Sequence, residues 1–262
     1  MGLTTGGRVA ARRLVRTPTV RTCSAMPVPS PATDALLDGL RPPAAVLWDM
    51  DGTLVDTEPY WMAAEHELVE AHGGVWTHEQ AMQLVGNSLE TSATILQAAG
   101  VDLTVDEILE FLGSRVAAQI AEHAPWRPGA LELLVALREA GVPCALVTMS
   151  YRSIAGRLVD VAPAGAFAQV VCGDDVEHGK PDPEAYLRAA ELLGVDVTDC
   201  VAIEDSPPGI SAALASGATT IGVQAVVPVE PRPGLSRLAS LTGVDLARLA
   251  RIHAGEVVDE LA

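Results

Sequence analysis

The chain alternates short, wholly apolar runs with amphipathic stretches, and the apolar runs end abruptly in polar residues. The run 44–48 (Ala-Ala-Val-Leu-Trp) closes on Asp49-Met50-Asp51-Gly52. An apolar run of four or five residues followed by a Gly turn reads as a strand buried on both faces, the pattern of a parallel sheet. Similar runs predict strands at 144–148, 169–172, 200–203 and 218–223. Between them, helical periodicity predicts helices at 129–140, 152–159, 183–193 and 208–216, several closed by Gly. From 57 to 125 the rhythm changes. Helical pieces are predicted at 60–72, 78–84, 88–98, 104–111 and 113–123, with no strand. The expected fold class is therefore α/β: a Rossmann-like parallel-sheet core, 41–56 and 126–225, interrupted by an inserted all-helical cap, 57–125. A tail, 226–262, holds a Pro-rich linker and a helix predicted at 244–251 that packs on the core.

Residues 1–40 show no apolar periodicity apart from a short helical turn expected at 34–40 before Pro42-Pro43. Residues 1–33 contain five Arg and no acid. A mitochondrial-type targeting peptide is basic in this way, but the amphipathic pattern is poor. A disordered extension, or a start at Met26, is the expectation instead. Beyond residue 33 the chain carries 12 cations against 34 acids, a balance of −22. Such a surface repels nucleic acid and anionic membranes, and neither is an expected partner. No apolar run approaches the ~18 residues of a membrane helix. The four Cys lack metal-ligand spacing, and three lie in strand-like runs. Reduced, buried thiols in a cytoplasmic, monomeric protein are expected.

Lys180 is the only lysine; the other 16 cations are Arg. A position that keeps Lys against that bias suits a compact, point-like ammonium. Parallel strands would gather Asp49, Asp51, Thr148, Lys180, Glu204 and Asp205 at one sheet edge, where ligands bind in open α/β sheets. Each stretch taken alone has a plainer reading. Asp51-Gly52 makes a turn, Thr148 ends a strand, and Glu204-Asp205-Ser206 caps a helix. Together they describe a site. Several carboxylates suit a hard cation such as Mg²⁺. A hydroxyl and an ammonium suit phosphoryl oxygens. One carboxylate can attack phosphorus while another, two residues on, moves the proton.

These stretches resemble the haloacid dehalogenase superfamily, in the subgroup with a helical cap inserted after the first motif. The matching residues are Asp49-Met50-Asp51-Gly52-Thr53-Leu54-Val55-Asp56, Val147-Thr148, Gly179-Lys180-Pro181-Asp182-Pro183 and Ile203-Glu204-Asp205-Ser206-Pro207-Pro208-Gly209, in the family's order. The resemblance implies Asp49 as nucleophile, Asp51 as general acid/base, and Thr148 and Lys180 on the phosphoryl oxygens. It implies Mg²⁺ held by Asp49, the backbone carbonyl of Asp51 and Asp205, with Glu204 close by or through water. Asp182 is expected to order its loop, and Tyr60 and Trp61 to pack within the cap.

Within that family the intact Asp51 and Glu204-Asp205 argue against dehalogenation, which uses neither an acid/base Asp nor a metal. A sugar-bisphosphate mutase needs cations for its second phosphate, yet residues 57–125 hold a single cation, Arg115. Arg127 and Arg152, near the core's edge, remain possible contributors. The expected function is a Mg²⁺-dependent phosphatase acting on a small phosphorylated metabolite, with sugar phosphates the expected class, through an aspartyl-phosphate. A β-phosphoglucomutase type, a phosphoglycolate phosphatase and a non-catalytic binding protein on the same fold are the alternatives. Asn87, Ser88, Met149 and Ser150 are the residues expected to read the leaving group.

Overall fold

Residues 39–262 are described by the structure, a computed structural model of the chain. The expectations for the extension and for most of the helical turn at 34–40 lie outside the described residues. Six strands form one parallel sheet in the order β3-β2-β1-β4-β5-β6. They are β1 (Ala45–Trp48), β2 (Cys144–Val147), β3 (Gln169–Val171), β4 (Cys200–Glu204), β5 (Thr219–Val223) and β6 (Ser236–Leu238). Every residue of β1 is fully buried, as a central strand covered on both faces requires.

The two faces differ in bulk. Val46 and Trp48 point to a face packed by large side chains from α5 (Ala130–Glu139), α6 (Arg152–Val161) and α9 (Leu246–His253), including Leu133, Leu137, Leu158, Leu249 and Ile252. Ala45 and Leu47 point to the other face, covered by α7 (Glu184–Leu193) and α8 (Pro207–Ser216). There the contacts are mostly alanines, Ala185, Ala189, Ala212 and Ala213, around one large side chain, Tyr186.

The inserted segment holds α1 (Glu58–Ala71), α2 (His78–Met82), α3 (Leu89–Ala98) and α4 (Val105–Glu122). Its helices begin as the sequence directs. Thr77 and Thr104 each form a capping box, with Gln80 and Glu107 respectively. The segment has an apolar cluster of its own, built on Leu68, Trp76, Leu96, Ile108 and Leu112.

Two sequence expectations change. The helices predicted at 104–111 and 113–123 are one continuous α4. Gly113, which looks like a break, lies inside it facing α6, where a Cβ would meet Ile154 Cδ1 at an ordinary contact distance of 3.4 Å. The N-terminal half of α4 packs in the cap cluster, while Val116 and Ile120 join the main core. The second change is β6, a strand not expected in the tail. It pairs with β5 in the register Ile221↔Ser236 to Val223↔Leu238. Its central residue is Arg237, whose guanidinium is nearly buried and reaches Val229 O at 3.0 Å and Asp259 at 2.6 Å. Ser-Arg-Leu has no apolar run, so it carries no strand signature. The tail helix, α9, starts at Asp245, whose side chain accepts from Arg248 N at 2.7 Å.

The tail is thus part of the main core. Leu249→Ala is expected to lower unfolding free energy by about 2–5 kcal/mol, the cost of a large-to-small change in a packed interior. Urea denaturation reads this; a loss under about 1 kcal/mol would mean that α9 is peripheral.

Candidate active site

The carboxyl ends of β1, β2 and β4 lie side by side because β1 pairs with both other strands. The chain leaves β1 at Asp49, whose backbone N–H still donates to Ile203 O on β4 at 3.0 Å. It then turns tightly, with Gly52 N bonded to Val55 O at 2.8 Å and Leu54 N to Met50 O at 2.9 Å. Gly52 has φ +86°, and a Cβ there would lie 2.2 Å from Asp205 Oδ2. Both facts require glycine. Thr53 Oγ1 donates to Asp205 Oδ1 at 3.1 Å.

Lys180 ties this edge together. Its Nζ donates to Asp49 Oδ1 at 2.6 Å, Glu204 Oε1 at 2.6 Å and Val147 O at 2.9 Å. That satisfies the three donors of an ammonium with groups from the three central strand ends. Oxygens of Asp49, Glu204 and Asp205 lie within 4.8 Å of one another. Burial and the Glu204 charge push the Asp49 carboxyl up to about 7, against the pull of Lys180. Asp205 is raised well above the usual range by burial and by Asp49 and Glu204. Burial disfavours the Lys180 ammonium, but Asp49 and Glu204 outweigh it and raise its pKa. With all three carboxyls ionised, the cluster would carry two net negative charges against the one ammonium. Its donor set of hard oxygens fits Mg²⁺ in kind and in charge.

Asp51 occupies a separate bay lined with donors. Thr57 Oγ1 reaches its Oδ1 at 2.5 Å, Ser150 Oγ its Oδ2 at 2.8 Å, and Thr148 Oγ1 its Oδ2 at 3.3 Å. Trp61 Nε1 approaches Oδ1 at 3.5 Å. Trp61 is therefore more than cap packing: it and Thr57 bring the start of the inserted segment against the Asp51 carboxylate. Tyr60 donates to His123 O at 2.9 Å, joining the first and last turns of that segment.

Other expected residues are placed differently. Met149 Sδ accepts from Lys180 N at 3.3 Å and so supports the lysine loop. Asn87 donates to Gln83 O at 3.0 Å, and Ser88 accepts from Thr91 N at 3.2 Å as the cap of α3. Both are exposed, and their hydrogen bonds stay within the cap. Glu204, expected beside a metal, already has its oxygens occupied. Oε1 accepts from Lys180 and from Tyr186 OH at 2.8 Å. Oε2 accepts from Asp205 N, Ser206 N and Ser206 Oγ at 3.1–3.2 Å. It anchors Lys180 first. A Cβ on Gly209 would sit 1.8 Å from Glu204 Oε1, so that residue too must be glycine. Asp182 orders its loop as expected, accepting from Glu184 N at 3.0 Å.

Tyr186 was not legible as a site residue. It falls among alanines on the buried face of α7 and reads as core. Its ring also lies under the ammonium, with Lys180 Nζ 5.2 Å from the centroid.

Residues 43–217 match the family model described as haloacid dehalogenase-like hydrolase. The chain belongs to that family. Hexitol phosphatase A of Escherichia coli is 34% identical over 181 residues, 68% of this chain and 82% of that protein. The phosphorylated carbohydrates phosphatase of Thermotoga maritima is 33% identical over 178 residues, 66% of this chain and 81% of that protein. Among solved structures, CbbY of Rhodobacter sphaeroides, crystallised with phosphate, superposes with a TM-score of 0.71 at 29% identity. It covers 79% of this chain and 99% of its own. As a haloacid dehalogenase-like hydrolase the protein is an enzyme of the phosphoric monoester hydrolase class. No helix among its described residues is long and apolar enough to cross a membrane.

Tyr186→Phe keeps the ring under Lys180 and removes one donor from buried Glu204. It is expected to cost about 1–3 kcal/mol of stability, the range for a hydrogen bond to a buried charged group. Urea unfolding at neutral pH measures it; an unchanged midpoint would mean Glu204 does not depend on this donor.

Proposed function

We propose that this enzyme is a Mg²⁺-dependent phosphatase that hydrolyses small sugar or sugar-alcohol phosphates through an aspartyl-phosphate on Asp49. The observation that carries the reading is the Lys180 ammonium held between Asp49 and Glu204 in a buried strand-end cluster. An attacking carboxylate and a phosphoryl group repel each other. A fixed ammonium beside the attacking oxygen offsets that repulsion as the transition state forms.

In this scheme an Asp49 oxygen bonds to phosphorus while the bond to the leaving oxygen breaks. Asp51, entering the step in its protonated form and held by the hydroxyls of Thr57, Thr148 and Ser150, gives that proton to the leaving oxygen. It then takes a proton from the water that cleaves the acyl phosphate, releasing phosphate and restoring Asp49. Thr148 Oγ1 and the Lys180 ammonium, at the same strand ends, would meet the phosphoryl oxygens of a bound substrate. Asp49 and Asp205 would hold Mg²⁺ with the Asp51 backbone carbonyl, and Glu204 stays behind Lys180. The ion would supply charge neutralisation and orientation of the phosphoryl group.

The sugar or sugar-alcohol class follows from the names of the two phosphatase relatives and from the charges around the cleft. Arg115 is bidentate on Glu67, with contacts of 2.7–3.1 Å. Arg152 pairs with Asp175. Arg127 donates to Gln224 O at 2.8 Å. Arg115 and Arg152 are thus held by carboxylates, while Arg127 is directed to a backbone carbonyl. This favours hydrolysis of a monoester with a neutral tail over transfer within a bisphosphate, and over phosphoglycolate. An intact set of strand-end groups likewise favours catalysis over a purely binding role.

Phosphate release from a panel of monoesters tests the proposal. Release is expected to vanish with EDTA and return with Mg²⁺. Asp49→Asn is expected to lower kcat by on the order of 10³-fold or more, as loss of a nucleophile does, with an unaltered circular dichroism spectrum. Near-normal turnover in that variant would overturn the role of Asp49.

A further inference from the structure

One polar contact crosses from the inserted helices to the core loop beside Asp51. Tyr151 OH donates to Glu90 Oε1 at 2.7 Å. Glu90 sits in the first turn of α3, and Tyr151 is the N-cap of α6. Tyr151 directly follows Ser150, whose hydroxyl holds the Asp51 carboxylate. The pair therefore joins the inserted helices to the core next to Ser150, the residue that holds the carboxyl group assigned to the leaving oxygen. The hydrogen bond from Tyr151 holds the Glu90 carboxyl below the usual range, so it is charged at neutral pH. The nearby basic side chain, Arg152, faces away to Asp175.

We propose that Glu90, held across the cleft by Tyr151, is a charge filter. It rejects phosphomonoesters whose far end is anionic and admits those whose far end carries hydroxyls. This rests on the phosphatase reading above and adds a determinant of selectivity. A hydroxylated tail can donate to the Glu90 carboxylate and accept from the Tyr151 hydroxyl, replacing the contact between them. A carboxylate or second phosphate meets a fixed like charge instead, with Arg152 turned away to Asp175. Tyr151 is a positioning residue in this arrangement; Glu90 carries the charge.

The test compares kcat/KM for sorbitol 6-phosphate with that for phosphoglycolate. The wild type is expected to favour sorbitol 6-phosphate. Glu90→Gln, which keeps an acceptor but loses the charge, is expected to lower that ratio about tenfold. Tyr151→Phe keeps the charge but frees Glu90, and is expected to lower it by a smaller factor, about threefold. Glu79→Gln removes an equal charge from an exposed turn of α2 and is expected to leave the ratio unchanged. In the wild type the ratio should also fall as salt is raised, since screening weakens the repulsion; in Glu90→Gln it should not. The salt series needs no variant to fold. A ratio within twofold of wild type in Glu90→Gln, an equal fall in Glu79→Gln, or a salt-independent wild-type ratio overturns the filter. Absence of Mg²⁺-dependent release from either ester would instead overturn the phosphatase reading itself.

Discussion

The rest of the structure depends on holding three carboxylates and one ammonium together out of water. Two unit charges about 4 Å apart repel by about 4 kcal/mol at an effective dielectric of about 20. Asp49, Glu204 and Asp205 would therefore not share a pocket without opposing charge. Lys180 supplies part of it, and its position is over-determined by acceptors from the three central strand ends. The remaining negative charge makes the cluster receptive to a divalent cation and to the phosphoryl group such a cation accompanies. A single lysine in a chain otherwise served by arginine fits this demand. A forked guanidinium does not place one compact charge between two carboxylates and a carbonyl.

The unequal faces of the sheet serve the same end. Alanines on α7 and α8 let these helices lie close against β1 and β4. That closeness brings the Lys180 loop over the strand ends and sets the start of α8 under Glu204. Ser206, the N-cap of α8, donates to Glu204 through both its backbone and its hydroxyl. The carboxylate thus rests on a helix N-terminus, where backbone donors and the helix dipole favour negative charge. Gly52 and Gly209 matter because neighbouring carboxylates occupy the space where a Cβ would be. The bulkier face carries stability: large residues from α5, α6 and α9 close over the opposite side, at a distance from the chemistry.

The inserted helices meet the core chiefly through α4 and through the entry at Thr57 and Trp61. α4 packs along α6, with Val116 and Ile120 in the main core, and the two entry residues touch Asp51 directly. Any movement of the inserted segment relative to the core is therefore felt at the Asp51 carboxylate.

How much of this was legible in the chain follows from what each signal depends on. The apolar runs ending in Asp49, Thr148 and Glu204 are local, and burial on both faces leaves a parallel strand little choice but such a run. The order of strands and helices, the family, and the gathering of Asp49, Asp51, Thr148, Lys180 and Asp205 at one edge were all readable for that reason. Tertiary structure decided the rest. β6 exists because β5 offers an open edge and Asp259 neutralises Arg237, neither of which leaves a trace in Ser-Arg-Leu. Gly113 joins a helix where its type alone suggests a break, because its neighbours Leu112 and Val116 are held in the two apolar clusters. Met149 and Tyr186 found their partners across 31 and 18 residues of chain, and Glu90 met Tyr151 across 61. Local pattern specifies which elements form; only their packing specifies which side chains then share a hydrogen bond.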